Sequence, residues 1–148
     1  MSTSSAWLLT LGPSYQAAVG LRDMVHLIAA AETFAIPQAP FYCHQTILWQ
    51  GNIVPLIDLE GWLKGTATDN ATKYVAIVAY QAQDKIEYGA LSLSAPPKRI
   101  QVEDSQSCPL PEDPVLWGKI SNACFNAQDT ATPILDLAVI FHTFSENI

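Results

Sequence analysis

Short runs of apolar residues, each bounded by turn-forming residues, recur along the chain. Three of them read SAWLLTLG, YVAIVAY and YGALSLS, and they are rich in aliphatic, aromatic or β-branched side chains. Runs of this length and composition are typical of β-strands. The polar segment 81–85, QAQDK, separates the second run from the third, and Gly89 follows it, which indicates a hairpin whose return strand is closely approached by another part of the chain. The pattern therefore predicts a mainly β protein.

Two other segments have weaker patterns. Residues 21–32, LRDMVHLIAAAE, are compatible with a helix and equally with a strand through MVHLI, and the sequence alone leaves both open. Residues 100–114 contain four acidic residues and three prolines, which favours an irregular segment that faces solvent.

A five-residue pattern, PhhDL with h an apolar residue, occurs twice, half a chain apart. It reads PLIDL from Pro55 and PILDL from Pro133, which suggests two similar substructures. Since proline lacks a hydrogen-bond donor, each copy should lie at a sheet edge, at a bulge or at the first residue of a strand. Asp58 and Asp136 should end these strands and cap the short helices that follow, in EGWLKG and AVIFHTF, because aspartate accepts from backbone N–H groups of a first helical turn.

Two catalytic interpretations of these residues are weaker than the structural ones. Asp58 and Asp136 could form an acid–base pair, but capping explains each aspartate and no glycine-rich aspartate motif surrounds either. Cys43 and His44 could act as nucleophile and base, but neighbours on a strand point to opposite faces, which favours a buried thiol beside an exposed imidazole. No histidine pair has the HxxH or HExxH spacing of metal sites. The sequence therefore predicts no catalytic residue, metal or cofactor.

Length and composition limit the class of protein. With 148 residues, 49% of them hydrophobic, the chain fits a single domain over residues 1–148 with an ample core. Its apolar stretches are shorter than the roughly 18 residues of a spanning helix, and no basic residue precedes the first one as in a secretory signal. Cys43, Cys108 and Cys124 cannot all pair within one chain and lack CxxC spacing, which argues against a disulfide framework and a zinc knuckle. A cytoplasmic protein without membrane insertion is the simplest expectation.

Charge excludes one further class of partner. The formal net charge is −7, and such a chain would repel a phosphate backbone, because affinity for nucleic acids rests on clustered Lys and Arg. DNA and RNA are therefore not expected partners. Charged residues make up 14% of the chain, about half the usual quarter, so much of the surface must be uncharged. This favours a protein that works in contact with other proteins.

Residues 36–59, IPQAPFYCHQTILWQGNIVPLIDL, resemble the signature segment of the CheW-like domain family, the adaptor module of bacterial chemotaxis arrays. In that family a proline-containing loop leads into a strand, a glycine turn and a returning strand that ends on proline, two aliphatic residues, aspartate and leucine. Gly51, Pro55, Asp58 and Leu59 match this pattern without a gap. The resemblance extends over residues 7–144. MVHLI resembles the early strand of the family, and YVAIVAY and IEYGALSLS resemble its central hairpin. WGKI followed by PILDLAVIF resembles its C-terminal part.

The resemblance implies a fold of two small SH3-like β-barrels packed side by side around a shared apolar seam, with short helices after the PhhDL strands. Residues 24–65 should form much of one barrel and the central hairpin much of the other, with the termini crossing between them. It also implies a non-catalytic adaptor that couples the cytoplasmic tip of a chemoreceptor to the regulatory domain of a CheA-type histidine kinase through protein–protein contacts.

The match to the family is incomplete at several positions. The segment before the turn glycine has Gln45, Leu48 and Gln50 where the family commonly has Gly, Asn and Arg. The early strand has His26 where the family commonly has Glu. An arginine offers five donors and a fixed charge, which glutamine cannot replace. The electrostatic contacts usual toward a receptor are therefore expected to be missing here.

The residues expected to contact a receptor or kinase are Met24, His26, Leu48, Gln50 and Gly51. Because successive side chains of a strand point to opposite faces, Leu48 and Gln50 should share one face of their strand. Ile47 and Trp49 should share the other. One face should point toward the apolar seam and the other toward a partner.

Three hypotheses on function remain open from the sequence. The first is a divergent adaptor of the CheW type that couples receptor to kinase. The second is an interaction subunit of the same fold that binds the kinase but has lost receptor coupling. The third is a small acidic β-barrel protein that binds a ligand or acts as an enzyme, which would need a pocket with convergent polar residues.

Overall fold

The computed structural model describes residues 3–66, 74–112 and 115–145. The strands are β1 (Thr3–Thr10), β2 (Gln16–Gly20), β3 (Met24–Ala29), β4 (Phe34–Ala35), β5 (Gln45–Trp49), β6 (Asn52–Ile57), β7 (Tyr74–Ala82), β8 (Lys85–Leu93), β9 (Lys98–Glu103), β10 (Ser121–Ala127) and β11 (Thr130–Leu135). The helices are α1 (Leu59–Lys64), α2 (Trp117–Ile120) and α3 (Leu137–Ser145), and single 3₁₀ turns occupy Phe41–Cys43 and Asp104–Gln106. Within the described ranges, no helix has the length and apolar character needed to cross a membrane.

The strands form two curled sheets, each of which makes a half-barrel. The five-stranded sheet has the order β10-β11-β2-β1-β9, and the six-stranded sheet has the order β3-β7-β8-β6-β5-β4. The prediction of a mainly β protein with two small barrel-like subdomains and short helices after the PhhDL strands is confirmed.

The strands are divided between the two sheets differently from the prediction. The hairpin of β7 and β8 does not form a second barrel, because β6 pairs in parallel with β8 at Leu56↔Ala90 and Ile57↔Leu91. That pairing brings the hairpin into the sheet that also contains β3 to β6. The other sheet is built from both ends of the chain, since β1 and β2 pair with β9 and β11. The predicted division is wrong because parallel pairing joins strands that are distant in sequence and leaves no turn signal between them.

One apolar cluster lies between the two sheets and is shared by them, and we call it the shared core. It takes side chains from both sheets and from all three helices, among them Leu9, Val19, Ile57, Val78, Leu91, Leu63, Ile120, Ile140 and Phe141. Two smaller clusters are separate from it. One lies within the six-stranded sheet around Ile47 and Val54, and the other within the five-stranded sheet around Ala6 and Phe125. The expected apolar seam is therefore present.

The two PhhDL copies occupy equivalent places, one in each sheet. Pro55 lies inside β6 and Pro133 inside β11. In each copy, parallel pairing with a further strand begins at the next residue, Leu56 with β8 and Ile134 with β2. Neither proline is the first residue of its strand or lies in an edge strand or at a register shift, so the predicted placement is wrong. Each proline instead precedes the point where a second partner strand joins.

Each copy ends on an aspartate at the start of a helix. Oδ1 of Asp58 accepts a hydrogen bond from the backbone N–H of Gly61 at 3.0 Å, in the first turn of α1. Oδ1 of Asp136 accepts from the backbone N–H of Val139 at 3.3 Å, in the first turn of α3. Both carboxylates thus bind a backbone donor that the helix itself leaves unsatisfied.

Two segments with weak patterns form strands. MVHLI lies in β3, which pairs with β7, so the strand alternative is the correct one. Residues 100–103 belong to β9, and the prediction of an irregular segment is wrong there. Ile100 and Val102 pack against the small cluster of the five-stranded sheet, while Gln101 and Glu103 are exposed. The alternation of apolar and polar residues decides the structure here despite the many acidic side chains.

A buried carboxylate connects α1 to the turn between β1 and β2. Glu60 is fully buried, and its Oε1 accepts hydrogen bonds from the backbone N–H groups of Ser14 and Tyr15 at 2.9 and 2.8 Å. Its Oε2 lies 3.6 Å from Nζ of Lys64. A side chain at Gly12 would overlap the carboxylate. Because α1 follows a strand of the six-stranded sheet and the turn belongs to the five-stranded sheet, Glu60 ties the two halves together.

A close approach between β8 and α3 requires glycine at position 89. A Cβ atom at Gly89 would overlap the ring of Phe141. That ring is buried and stacks on Tyr80 with 5.1 Å between centroids and 7° between planes. The sequence predicts a close backbone approach at Gly89; the structure shows a close approach there, and the approaching group is the Phe141 ring.

We expect Gly89→Ala to lower the free energy of unfolding by about 1–3 kcal/mol, because an added methyl group forces a buried ring out of its packing position. Denaturant unfolding followed by circular dichroism measures the change. Gly118→Ala in α2 is the matched control, since a Cβ there would meet nothing within 4 Å. Equal stability of the two variants would contradict the close approach at Gly89.

We expect Asp58→Ala and Asp136→Ala each to lower the free energy of unfolding by about 1 kcal/mol, as the loss of a cap does. Asp58→Asn and Asp136→Asn are the controls, because asparagine caps nearly as well and should restore most of the stability. An alanine variant that melts normally but no longer binds a partner would argue against a capping role.

Candidate protein-interaction surface

The β5–β6 hairpin carries three of the five residues expected to contact a partner. Its strands pair as far as Trp49↔Asn52, which leaves Gln50 and Gly51 as a two-residue turn. Both turn residues have positive φ, 49° and 79°, as a type I′ turn requires. Gln50 is exposed at the tip of the hairpin.

Side chains along β5 alternate between the inside and the outside of the six-stranded sheet. Ile47 is 2% exposed and lies in the small cluster of that sheet, against which Trp49 also packs, whereas Leu48 is 61% exposed. The predicted alternation is present from Ile47 to Trp49, whereas Gln50 lies in the turn and not on the Leu48 face of the strand. The inner face points into the six-stranded half-barrel and not into the shared core, because the core of this sheet is divided between two clusters.

Apolar side chains adjoin one another on the outer face of β4, β5 and β6. Leu48 faces Ile53, which is 77% exposed, across the β5–β6 pair. In the next row, Thr46 faces Pro55 on one side and Phe34 on the other, and Phe34 is 48% exposed. We call Phe34, Leu48, Ile53 and Pro55 the outer patch. Only Leu48 was expected from the sequence, although the same alternation through NIVPLI could have identified Ile53.

Aromatic rings gather around Trp49, whose side chain packs on the inner face of β5, opposite the outer patch. The ring of Trp49 lies 5.0 Å from that of Tyr88 and 6.3 Å from that of His26, centroid to centroid. His26 is exposed, and Tyr88 is partly so. Ile86, two residues before Tyr88 in β8, is 58% exposed. His26, one of the expected contact residues, thus lies beside the strand that carries Leu48.

Met24 is the expected contact residue that the structure places elsewhere. It is partly buried and packs against the shared core. A bulge in β3 between Met24 and His26, where the pairing with β7 shifts register, lies between the two residues. Leu48, Gln50 and Gly51 therefore share one hairpin with His26 nearby, and Met24 contributes to the core.

An open groove of about 360 Å³ runs between the two sheets. Asp23, Tyr80 and Gln81 line it from the six-stranded side, and Asn122 and Ile134 line it from the five-stranded side. Since it forms only when β10 and β11 lie beside β7, which is distant from them in sequence, no local sequence pattern could have indicated it.

The catalytic alternatives have no support in the geometry. Cys43 is fully buried in the shared core, and burial raises the pKa of its thiol, so the thiolate needed for nucleophilic attack is disfavoured. His44 is exposed, and its Nδ1 lies 2.7 Å from the carbonyl oxygen of Phe41. Asp58 and Asp136 bind backbone N–H groups in separate helices.

A second cleft, of about 380 Å³, lies beside the β1–β2 turn. Tyr15, Trp117 and Thr130 line it, and none of the described residues that line it is charged. Across residues 3–66, 74–112 and 115–145, no group of three His, Cys, Asp or Glu side chains could hold a metal ion. Polar side chains line both clefts, among them Ser14 and Gln16 in one and Asp23 and Gln81 in the other, so the hypothesis of a ligand-binding protein or enzyme stays a prediction.

The chain is similar to known proteins in sequence and in fold. The CheW-like domain family model matches residues 7–144. Among solved structures, the chain is similar to the scaffolding protein TtCheW from Thermoanaerobacter tengcongensis, with a TM-score of 0.74 and 16% sequence identity over 99% of this chain and 98% of that chain. No curated protein sequence matches it. The structural similarity concerns the fold, and the family assignment rests on the family model.

Proposed function

Because the chain belongs to the CheW-like domain family, a family of non-catalytic scaffolds of chemotaxis-type signalling, we propose that it couples a chemoreceptor to a CheA-type histidine kinase. Its partners are the cytoplasmic tip of the receptor and the regulatory domain of the kinase. Residues 1–148 act as one adaptor domain in the cytoplasm, without a cofactor. The observation that carries this proposal is the outer patch around Leu48 and Ile53.

The composition of the outer patch supports binding to an apolar protein surface. Leu48 and Ile53 face each other and are both more than half exposed, and the patch contains no charged side chain. Exposed apolar patches of neighbouring residues mark interaction sites more often than isolated ones do. Burying either side chain against a partner contributes about 1.5–3 kcal/mol. Two such side chains are enough to anchor a contact.

A second group of expected contact residues lies around Trp49, on the face of β5 opposite the outer patch. Trp49 and Tyr88 are held by ring contacts, and large side chains held in this way are typical anchors at the centre of interfaces. His26 lies beside Trp49, and the turn at Gln50 follows it in the chain. This group would contact the receptor separately from the outer patch.

A kinase-only subunit is the second candidate function, and the uncharged Gln50 favours it. A receptor contact that depends on an arginine at this position and on a carboxylate at the position of His26 would lose its charge-assisted hydrogen bonds in this chain. The outer patch does not depend on either residue, so binding of the kinase would persist.

We expect Leu48→Asp to weaken the binding of at least one of the two partners tenfold or more. A charged group is costly to bury in an apolar contact, and the transfer free energy of the leucine, about 1.5–3 kcal/mol, is lost. Isothermal titration calorimetry with the purified kinase regulatory domain, and separately with the receptor tip, measures both dissociation constants.

Val115→Asp is the matched control for Leu48→Asp, because Val115 is 81% exposed and lies before α2, outside the outer patch. It should bind both partners as the unmodified chain does. If a folded Leu48→Asp protein also binds both partners normally, the outer patch is not the contact. Binding of the kinase but not the receptor by the unmodified chain would support the kinase-only subunit.

We expect the unmodified chain to bind a standard chemoreceptor tip weakly, and the double variant His26→Glu with Gln50→Arg to bind it better. One charge-assisted hydrogen bond contributes about 1.5–3 kcal/mol, which corresponds to a tenfold or larger change in affinity. Swarming in soft agar, in a cell that lacks its own CheW, measures whether each version restores receptor coupling.

His44→Glu with Gln83→Arg is the control for the double variant. It makes the same changes of charge at two matched sites away from the proposed contact. His44 is an exposed histidine, and Gln83 is the first turn residue of the β7–β8 hairpin with a φ of 48°, close to the 49° of Gln50. Rescue by the His26 and Gln50 variant alone would place the receptor contact on those two residues. Full rescue by the unmodified chain would show that the missing charges are irrelevant.

A further inference from the structure

The two edge strands of the five-stranded sheet, β9 and β10, are not paired with each other, and the chain that leaves β9 closes the gap between them. Ser107 forms an antiparallel bridge with Phe125 in β10. The backbone N–H of Cys108 donates to the carbonyl oxygen of Cys124 at 3.0 Å. Nε2 of Gln106 donates to the carbonyl oxygen of Asn126 at 2.9 Å. We call residues 106–108 the closing segment.

The closing segment sets two thiols side by side. Cys108 and Cys124 are directly opposite each other, one step from the Ser107↔Phe125 bridge, and their Sγ atoms are 3.3 Å apart. Opposed residues that share a hydrogen bond in antiparallel strands have Cα atoms about 5.5 Å apart, within the range of about 4.4–6.8 Å found for disulfides. The backbone is therefore already placed for a covalent bond between the two sulfur atoms.

We propose that Cys108 and Cys124 are an oxidation site for peroxide, at which a reversible disulfide locks the closure of the five-stranded half-barrel. Both thiols are free in the reduced protein, and Cys108 is the more exposed of the two. Cys43, in the shared core, is not part of the pair.

The exposure of the two thiols assigns their roles. Burial raises the pKa of the Cys124 thiol, with the hydrogen bond from Cys108 as a smaller cause. Because Cys124 is buried and Cys108 is partly exposed, Cys108 meets the oxidant. The Cys108 thiolate attacks one oxygen of hydrogen peroxide, the O–O bond breaks, and the leaving hydroxide takes up a proton to become water. Cys108 is then a sulfenic acid.

The second step forms the disulfide. The sulfur of Cys124 attacks the sulfur of Cys108, the S–O bond breaks, and the departing hydroxide leaves as water with the proton of Cys124. The two thiols have lost two electrons and two protons, and one peroxide has been reduced to two waters. A dithiol reductant reverses the reaction by exchange at the partly exposed sulfur of Cys108.

The disulfide would link β10 to the closing segment, on the side of the sheet where the edge strands β9 and β10 do not pair with each other. A cleft of about 270 Å³ lies between β9, the closing segment and β10, lined by Ile100, Gln106, Phe125 and Ala127. Hydrogen bonds and one bridge hold this side in the reduced protein. A covalent link from Cys108 to Cys124 would prevent β10 from separating from the closing segment.

The test uses the purified, reduced full chain treated with a small excess of hydrogen peroxide. We expect the number of free thiols to fall from three to one. Peptide mapping without reductant should find residue 108 joined to residue 124 with the loss of two hydrogen atoms. The melting temperature should rise by about 5–10 °C, as a native disulfide that closes a loop of this size gives, and dithiothreitol should reverse the rise.

Two variants make the test specific. Cys108→Ser removes the partly exposed thiol without disturbing the buried one, and peroxide should then leave its two thiols free and its melting temperature unchanged. In Cys43→Ala, peroxide should still consume two thiols and raise the melting temperature. The proposal is overturned if Cys108 oxidises while Cys124 remains a free thiol, if the products are disulfide-linked dimers, or if the internal disulfide forms without raising the melting temperature.

Discussion

The packing of two curled sheets against one shared core is the constraint on which the rest of the structure depends. The clusters inside each sheet are small, and most of the large buried side chains, including Phe141 and Phe144, lie between the sheets. Neither sheet could bury enough apolar surface alone. Each PhhDL strand therefore ends in a helix that turns apolar side chains into the shared core. Glu60 adds a polar tie in which Oε1 accepts two backbone hydrogen bonds, whereas the buried Oε2 has no hydrogen-bond partner among the described residues and lies 3.6 Å from Nζ of Lys64.

Features governed by neighbouring residues could be predicted from the sequence, whereas features that join distant segments could not. The strands β1, β7 and β8, the hairpin turn after Ala82, and the helices after Asp58 and Asp136 follow from local patterns. The parallel pairing of β6 with β8 has no local signal, and it decides which strands share a sheet. The burial of Glu60 is equally hidden, because a glutamate in the first turn of a helix usually faces solvent. No local sequence pattern indicates the groove either, because residues that are distant in sequence line it.

The outer patch was predictable in part because it depends on register. The type I′ turn at Gln50 and Gly51 sets Leu48 opposite Ile53, and a slip of one residue would turn both side chains inward. The burial of Ile47 and Val54 opposes such a slip, so the inner cluster fixes the outer surface. Phe34 joins the patch through β4, a two-residue strand that carries almost no pattern of its own.

The five-stranded sheet combines β1 and β2 with β9, β10 and β11, so its strands are synthesised at widely separated times. All strands of the six-stranded sheet lie within residues 24–93 and can pair once that stretch has emerged. β1 and β2 are made first, but their neighbours β9 and β11 follow only after residue 97. The β1–β2 hairpin must therefore wait until residues 98–135 have been made before both of its neighbouring strands can pair with it. A chaperone that holds unpaired strand edges would find its substrate in this hairpin while β9 and β11 are still being synthesised.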